Sequence, residues 1–373
     1  MRSPAKPQAN RPAATRPRTR AATDAAGSRV VLPKIADVAA RAGVSTATVS
    51  RALTRPDSVS ADKRDRVLAA VRELGYTPNA AARNLRAGRT NMVLVVVAKL
   101  ANPFFAGVVR GADEALAAAG FGMIIGDLDN MPDREHRLVD LAFAGHIDGA
   151  LILSGRVPRN GARTMGMAAL PMVGVCVPTD DPQVPVVMID DTAAARLQVE
   201  HLVGLGHRRL LYLSGPKTNG NEVARWRGFN AAVAAAGLDP AAMVRVEGDY
   251  TFGAGVRGAE AWLGLDPAVR PTGVVAVSDE MAIGFMRRLG EAGVRVPETV
   301  SVVGFDGIDF ADYCAPRLTT IRQPSREMGS EAARRLVRLI GGAVIDPTPH
   351  VLAASLRAAE STAPATRLPD AAG

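Results

Sequence analysis

The chain has 373 residues, 45 Lys and Arg against 37 Asp and Glu, a net charge of +8 and only two cysteines. The length exceeds a single domain, and Cys176 and Cys314 are too few and too scattered for a disulfide framework or a zinc site. No apolar run is long enough for a secretory leader or a membrane span, so the expectation is a cytoplasmic, nucleoid-associated protein with no membrane partner.

Residues 1–91 hold 18 Lys and Arg against 6 Asp and Glu, leaving 27 against 31 in the remainder. A basic front on a mildly acidic rear suits a nucleic-acid-binding head on a globular body. Residues 1–30 are rich in Pro, Ala, Arg and Thr without apolar periodicity, so a disordered basic tail is expected there.

The first periodic run, Ile35 to Ala42, puts Ile35, Val38, Ala39 and Ala42 on one helical face. Gly43 ends it where a positive φ is usually needed. Ser45 then stands at the N-cap of a second run, Thr46 to Leu53. Val49 and Leu53 must face the first helix, which leaves Thr46, Ala47, Ser50 and Arg51 pointing outward. Arg51 can pair bidentately with guanine, and the methyl groups of Thr46 and Ala47 suit thymine. Ser60 is expected to cap a third helix, Ala61 to Leu74, with Val67, Leu68, Val71 and Leu74 as its stripe and Gly75-Tyr-Thr-Pro78 as its stop. Residues 31–78 therefore read as a helix-turn-helix domain around Val38, Val49, Leu53, Val67 and Val71. A small helical hairpin with a polar face is the plainer alternative. Residues Asn79 to Arg89 contain good helix formers but one large apolar residue, Leu85, among Arg83, Arg86 and Arg89. Such a helix is marginal alone and would need a phosphate-bearing surface to fold on.

Taken together, Ile35-Ala-Asp-Val-Ala, Gly43-Val-Ser, Thr48-Val-Ser-Arg51, Leu74-Gly-Tyr-Thr-Pro-Asn79 and Ala82-Arg-Asn-Leu85 resemble the lactose-repressor (LacI/GalR) family of bacterial transcription regulators. The resemblance implies that residues 79–91 are a hinge helix that orders on operator DNA. It also implies that Leu85 wedges into the minor groove at a central C-G step, unstacking being repaid by wider contact with bent DNA. The DNA-binding set is then Ser45, Thr46, Ala47, Thr48, Ser50, Arg51, Asn79, Arg83 and Leu85. The sequence departs from the pattern at Lys34, an N-cap position where the family often has Thr or Ser.

From Met92 onward, short apolar runs alternate with helical stretches. Strands are expected at 92–98, 121–125, 149–153, 209–213, 243–246, 273–277 and 300–304. Helices are expected at 104–119, 133–144, 193–205, 222–236, 254–263, 280–292 and 326–340. Such alternation predicts parallel sheets covered by helices on both faces. The pattern restarts near Ala193, giving two α/β lobes within residues 92–356. The resemblance to the lactose-repressor family implies that the first takes about 92–191 plus 322–353 and the second about 192–321, with a disordered tail expected at 357–373. Ligands of such sheets bind beyond the carboxyl ends of strands, where Asn102-Pro-Phe-Phe105, Asp190-Asp191, Ser214 to Arg225, Tyr250, Ser278-Asp279 and Gly304-Phe-Asp306 lie. Carboxylates, an arginine and aromatics suit a small polar molecule with hydroxyls.

The resemblance continues to about Leu356 through Leu205-Gly-His207, Ser214-Gly-Pro216, Val277-Ser-Asp279, Val300-Ser-Val-Val-Gly-Phe-Asp306 and Pro316-Arg-Leu-Thr-Thr320. It implies a two-lobed α/β core like a periplasmic binding protein, joined to the all-α head and hinge helix. Phe104 and Phe105 would line the cleft from the first lobe, and Asn219, Arg225, Tyr250, Asp279 and Asp306 from the second. Asp190 completes the expected effector-binding set. Arg225 and Asp306 match a pair that grips hydroxyls or a charged ring. Asp279 can equally be a helix N-cap, and one of the two phenylalanines can equally be core. The expected protein is a homodimeric repressor on a pseudo-palindromic operator, controlled by a sugar or sugar derivative, or by a purine or nucleoside, with no cofactor. An activator or dual regulator is the alternative. A sugar transporter's binding protein does not fit the basic head. An enzyme does not fit either, since His136, His146, His201, His207 and His350 lack metal-ligand spacing and no nucleophile elbow or phosphate loop is present. His207 reads as closing a helix, where its proton suits the dipole.

Overall fold

The computed structural model describes residues 33–77, 89–129 and 131–365. The N-terminal tail, Asn79, Arg83, Leu85 and most of the expected hinge helix lie outside the described residues. The head contains α1 (Ile35–Ala42), α2 (Thr46–Thr54) and α3 (Ala61–Leu74). The side chain of Lys34 does not cap α1. Instead Asp37, in the first turn, accepts the Lys34 backbone N–H at 2.7 Å, half of a capping box. Gly43 turns left-handed at φ 63, and the Ser45 hydroxyl accepts the Thr48 N–H at 3.2 Å. Ser60 precedes α3 but makes no side-chain cap, contrary to expectation. Val38, Val49 and Val67 are sealed with Ala52 and Ala70, whereas Leu53 and Val71 sit half-buried at the edge of that core. Arg41 grips Glu73 at 2.8 and 3.0 Å, tying α1 to α3.

The body is built from β1 (Met92–Val97), α4 (Phe104–Ala118), β2 (Gly122–Asp127), α5 (Pro132–Phe143), β3 (Gly149–Ile152), β4 (Arg159–Asn160), β5 (Arg163–Thr164), β6 (Met172–Val175) and β7 (Val186–Ile189). There follow α6 (Asp191–Gly204), β8 (Leu210–Ser214), α7 (Gly220–Ala235), β9 (Val244–Glu247), α8 (Phe252–Leu263), β10 (Gly273–Ala276), α9 (Asp279–Glu291), β11 (Ser301–Asp306), α10 (Phe310–Tyr313) and β12 (Thr319–Arg322). The last elements are α11 (Ser325–Ile340), β13 (His350–Leu352) and β14 (Ser355–Arg357). One sheet runs β13-β7-β6-β3-β1-β2 and is parallel throughout; the other runs β14-β12-β11-β10-β8-β9 with only β14 antiparallel. Strand β1 shows why a continuous apolar run is needed here. Val93, Val95 and Val97 enter one core cluster while Leu94 and Val96 enter another, because alternate side chains serve opposite faces of a covered sheet. The chain passes between the sheets after β7, after β12 and between β13 and β14.

Strands β6 and β7, each four residues long, were not expected, because such short apolar runs between polar loops carry little periodic signal. The C-terminal stretch also needs correction, since it does not leave the body at Arg357. Ser361 is fully buried; its hydroxyl donates to the Val302 carbonyl at 2.6 Å and accepts the Thr319 N–H at 2.8 Å. Ala365 donates its N–H to Leu205 at 2.7 Å. These small residues satisfy backbone groups beside the first residues of β11 and β12, a role invisible to a composition-based reading. They also cover His207. Its Nε2 lies 3.1 Å from the Ala363 carbonyl, which can only accept, and its Nδ1 is 3.0 Å from the Thr272 hydroxyl. Burial pulls the ring's pKa down, so His207 is a neutral core residue rather than a charged helix terminus.

Candidate functional site

On α2 the structure exposes Ser45, Thr46, Ala47 and Arg51 and half-buries Thr48 and Ser50. The hydroxyls of Ser45 and Thr48 lie 3.0 Å apart, so both serve the helix start. Arg51 Nε makes only a 3.4 Å bond to the Ala47 carbonyl. Among the described residues no carboxylate pairs with Arg51, which leaves its guanidinium available.

In the body, the charged cluster centres on Arg225, in α7. Its Nε donates to Asp191 at 2.7 Å, one terminal nitrogen donates to the Val277 carbonyl at 2.6 Å, and its guanidinium lies 3.6 Å from the Phe305 ring centre. Burial lowers its pKa, but Asp191 and then Asp306 more than offset that and hold it above its ordinary value. Asp306 ends β11 and accepts Gln323 Nε2 at 2.8 Å. Burial pushes its carboxyl well above the usual carboxylate range, against the pull of Arg225. Asp191 is raised for the same reason. Tyr250 feels Arg225, Glu222, Asp306 and Asp191, and its hydroxyl is buried with no hydrogen-bond partner among the described residues. The Ser214 hydroxyl, at the end of β8, is in the same condition.

Backbone strain gathers at this cluster. Cys176, Tyr250 and Asp306 have φ of 72, 64 and 121, conformations that cost non-glycine residues about 1–3 kcal/mol and that collect at binding sites. The Cys176 thiol, pushed up by burial and by Asp191 and Asp306, stays protonated.

The structure therefore brings Arg225, Tyr250 and Asp306 together. Phe104 is buried in the apolar cluster that holds Phe305 and Ile308, while Phe105 is half-buried 5.6 Å from it. Asp190 is not in the charged cluster. It is exposed, caps α6 by accepting the Ala193 N–H at 2.9 Å, and borders an open apolar depression with Leu197 and Val351. Its neighbour Asp191 faces Arg225 instead. Asn219 is exposed and spends its side-chain oxygen on the start of α7, through Asn221 and Glu222. Asp279 is fully buried with both oxygens engaged, by the N–H groups of Gly307 and Ile308 at 2.8 and 2.9 Å and by the Thr320 hydroxyl at 2.5 Å. It holds the turn beneath Asp306 rather than presenting itself to a ligand, and Ser278 is the N-cap of α9. Gln323 escaped the sequence reading; Asp191, Glu222 and Phe305 fell within the post-strand stretches it singled out but were assigned no role of their own.

Residues 34–79 match the bacterial regulatory proteins of the lacI family, and residues 199–362 match a periplasmic binding protein-like domain. Over 308 residues the chain is 37% identical to the HTH-type transcriptional repressor CytR of Escherichia coli strain K12, spanning 82% of this chain and 89% of that relative. The chain belongs to the LacI family. Solved structures agree. This LacI-family chain aligns with transcriptional regulator CelR in complex with cellobiose at 35% identity and a TM-score of 0.66, covering 88% of this chain and 99% of that one. It aligns with the lac repressor dimer bound to operator and the anti-inducer ONPF at 28% identity and a TM-score of 0.77, covering 89% and 99%. The LacI-family protein described here is a DNA-binding transcriptional regulator and not an enzyme.

Glu222 and Glu280 are among the buried acids that tie the stability of this regulator to pH. Burial lifts Glu222, which binds the Gly215 N–H and Arg245, and Glu280, which faces Lys99 and Asp249, from 4.5 to about 7. Between about 4.5 and 7 the folded chain binds more protons at these sites than the unfolded chain, so stability falls as pH rises through that window. Glu280→Gln should flatten the slope; an unchanged slope in denaturant midpoints measured at pH 5, 6 and 7 would contradict this.

Proposed function

We propose that this regulator is a repressor that binds a pseudo-palindromic operator as a homodimer, and that a neutral, hydroxyl-bearing effector of the sugar class sits between its lobes. The buried cluster of Arg225, Asp306 and Tyr250 carries the effector reading. It offers a strained carboxylate, a fixed cation and an unpartnered hydroxyl, a set matched by a ligand rich in both donors and acceptors. The cellobiose complex of CelR supports the ligand class. The lac repressor dimer on its operator supports the assembly. Phe310 and Tyr313, 55% and 87% exposed and one helical turn apart, offer an aromatic surface that a second copy would cover.

On DNA, the exposed end of α2 would enter the major groove with Arg51 on a base edge and Thr46 and Ala47 against thymine methyls. Asn79, Arg83 and Leu85 would follow in the minor groove. Arg51→Ala should relax base preference at one operator position by about 1–3 kcal/mol; preference unchanged at every position would assign Arg51 to phosphate alone. In the cleft, Asp306→Ala should abolish thermal stabilisation by whichever neutral sugar or nucleoside stabilises the wild type in a panel that includes cellobiose and ribose, while sequence-specific DNA binding persists. A variant that still responds normally moves the effector elsewhere.

A further inference from the structure

We propose that Arg89 is the residue through which the cleft governs the DNA-binding tether, with α11 as the rigid connection between them. This rests on the reading that the effector occupies the cleft, and it names how occupancy would leave it. Arg89 donates to the carbonyl of Ile340, the last residue of α11, at 3.1 Å. Carbonyls in the last turn of a helix lack intrahelical donors and carry partial negative charge, so a guanidinium is well placed there. Immediately after Arg89, the N–H groups of Thr90 and Asn91 and the Thr90 hydroxyl bind the Asp148 carboxylate at 2.8, 2.7 and 2.9 Å. Asp148 precedes Gly149, and a methyl at Gly149 would overlap the side chains of Leu336 and Ile340. Both anchors of the tether therefore meet the C-terminal end of α11.

The other end of α11 starts at the cleft. Gln323, two residues before Ser325, donates to Asp306. The 16 residues of α11 span about 24 Å. The helix has little freedom to absorb a displacement, because it packs backbone to backbone on α4. A methyl at Gly111 would overlap the Arg326 carbonyl, and one at Gly329 would overlap the Val108 carbonyl. Arg326 also grips Glu114 at 2.7 Å. In a close-packed pair of this kind a shift at Gln323 is passed on rather than dissipated, and α4 carries Phe104 at its own start.

The test is a double-mutant cycle on operator affinity, using a duplex enriched from a random pool, the full chain and no effector. Arg89 is exposed, so Arg89→Ala should fold; Gln323→Glu accompanies Gln323→Ala to preserve side-chain size. Independent sites this far apart combine multiplicatively within about twofold. The combined Arg89 and Gln323 variants are expected to depart from that product by threefold or more, with the Gln323 effect largely lost once Arg89 is gone. Amide hydrogen exchange at Thr90 and Asn91 should accelerate in the Gln323 variants as well as in Arg89→Ala. Multiplicative effects, Gln323 variants silent at the operator, or unchanged exchange at Thr90 and Asn91 would each overturn the proposal. Because no ligand enters these measurements, they fail separately from the Asp306→Ala ligand test, which alone judges the cleft.

Discussion

Arg225→Ala is expected to lower folding stability by about 3–5 kcal/mol, the range for removing one member of a buried ion pair, and to erase the ligand response. Arg225 and Asp191 are 4% and 2% exposed and 2.7 Å apart, so the variant strands a carboxylate away from water. The Val277 carbonyl loses its donor and the Phe305 ring its stacked guanidinium. Much of the penalty is the cost of the orphaned charge rather than the worth of the pair. Arg225→Met combined with Asp191→Leu should therefore recover most of the stability, as exchanging a buried pair for apolar side chains often does. The ligand response should stay lost, because the cation proposed to orient the effector is missing. Urea unfolding gives the stability and a thermal shift with the effector gives the response. A double variant no more stable than Arg225→Ala would show that packing, not the stranded charge, dominates.

Asp279→Ala is expected to cost about 3–5 kcal/mol, since it removes the acceptor of three buried donors at about 1–3 kcal/mol each before relaxation. Those donors are the N–H groups of Gly307 and Ile308 and the Thr320 hydroxyl. Burial pushes the Asp279 carboxyl up, and the three donors that converge on it work against that push. The two N–H groups belong to the residues after Asp306, whose φ of 121 persists only where its surroundings enforce it. Ligand affinity should fall with stability, because the turn that carries Asp306 loses its anchor. Asp279→Asn retains one acceptor oxygen and should cost roughly half as much. Full ligand response in an Asp279→Ala variant that remains folded would show that the turn is held by other contacts.

What the sequence made legible follows from where each signal resides. Apolar runs such as Met92 to Ala98 and Gly273 to Val277 announce strands covered on both faces, and Gly43 and Gly75 announce helix ends at φ of 63 and 61. Arg225, Tyr250 and Asp306 were legible because a charged or aromatic residue just past a strand, or one turn into the following helix, has few structural uses. The failures have physical causes. Asp190 and Asp191 differ by one residue, and the cap that α6 needs takes the first while helical phase turns the second toward Arg225. Asp279 looks like a ligand-binding carboxylate until its three donors are seen, and these come from residues 28 to 41 positions away. Gln323 is an ordinary amide in sequence and matters only because β12 brings it to Asp306. Ser361 and Ala363 lack every apolar cue, yet they close the ends of two strands and cover His207.

Selection of binding sites from a random duplex pool by the purified full chain, at moderate salt, bears on the head, the hinge segment and the dimer together. The expected product is a pseudo-palindrome whose two halves are read by the two α2 helices and whose centre carries a C-G step. An enriched single half-site, or no enrichment with or without candidate sugars and nucleosides, would contradict the reading of this chain as an operator-binding homodimer.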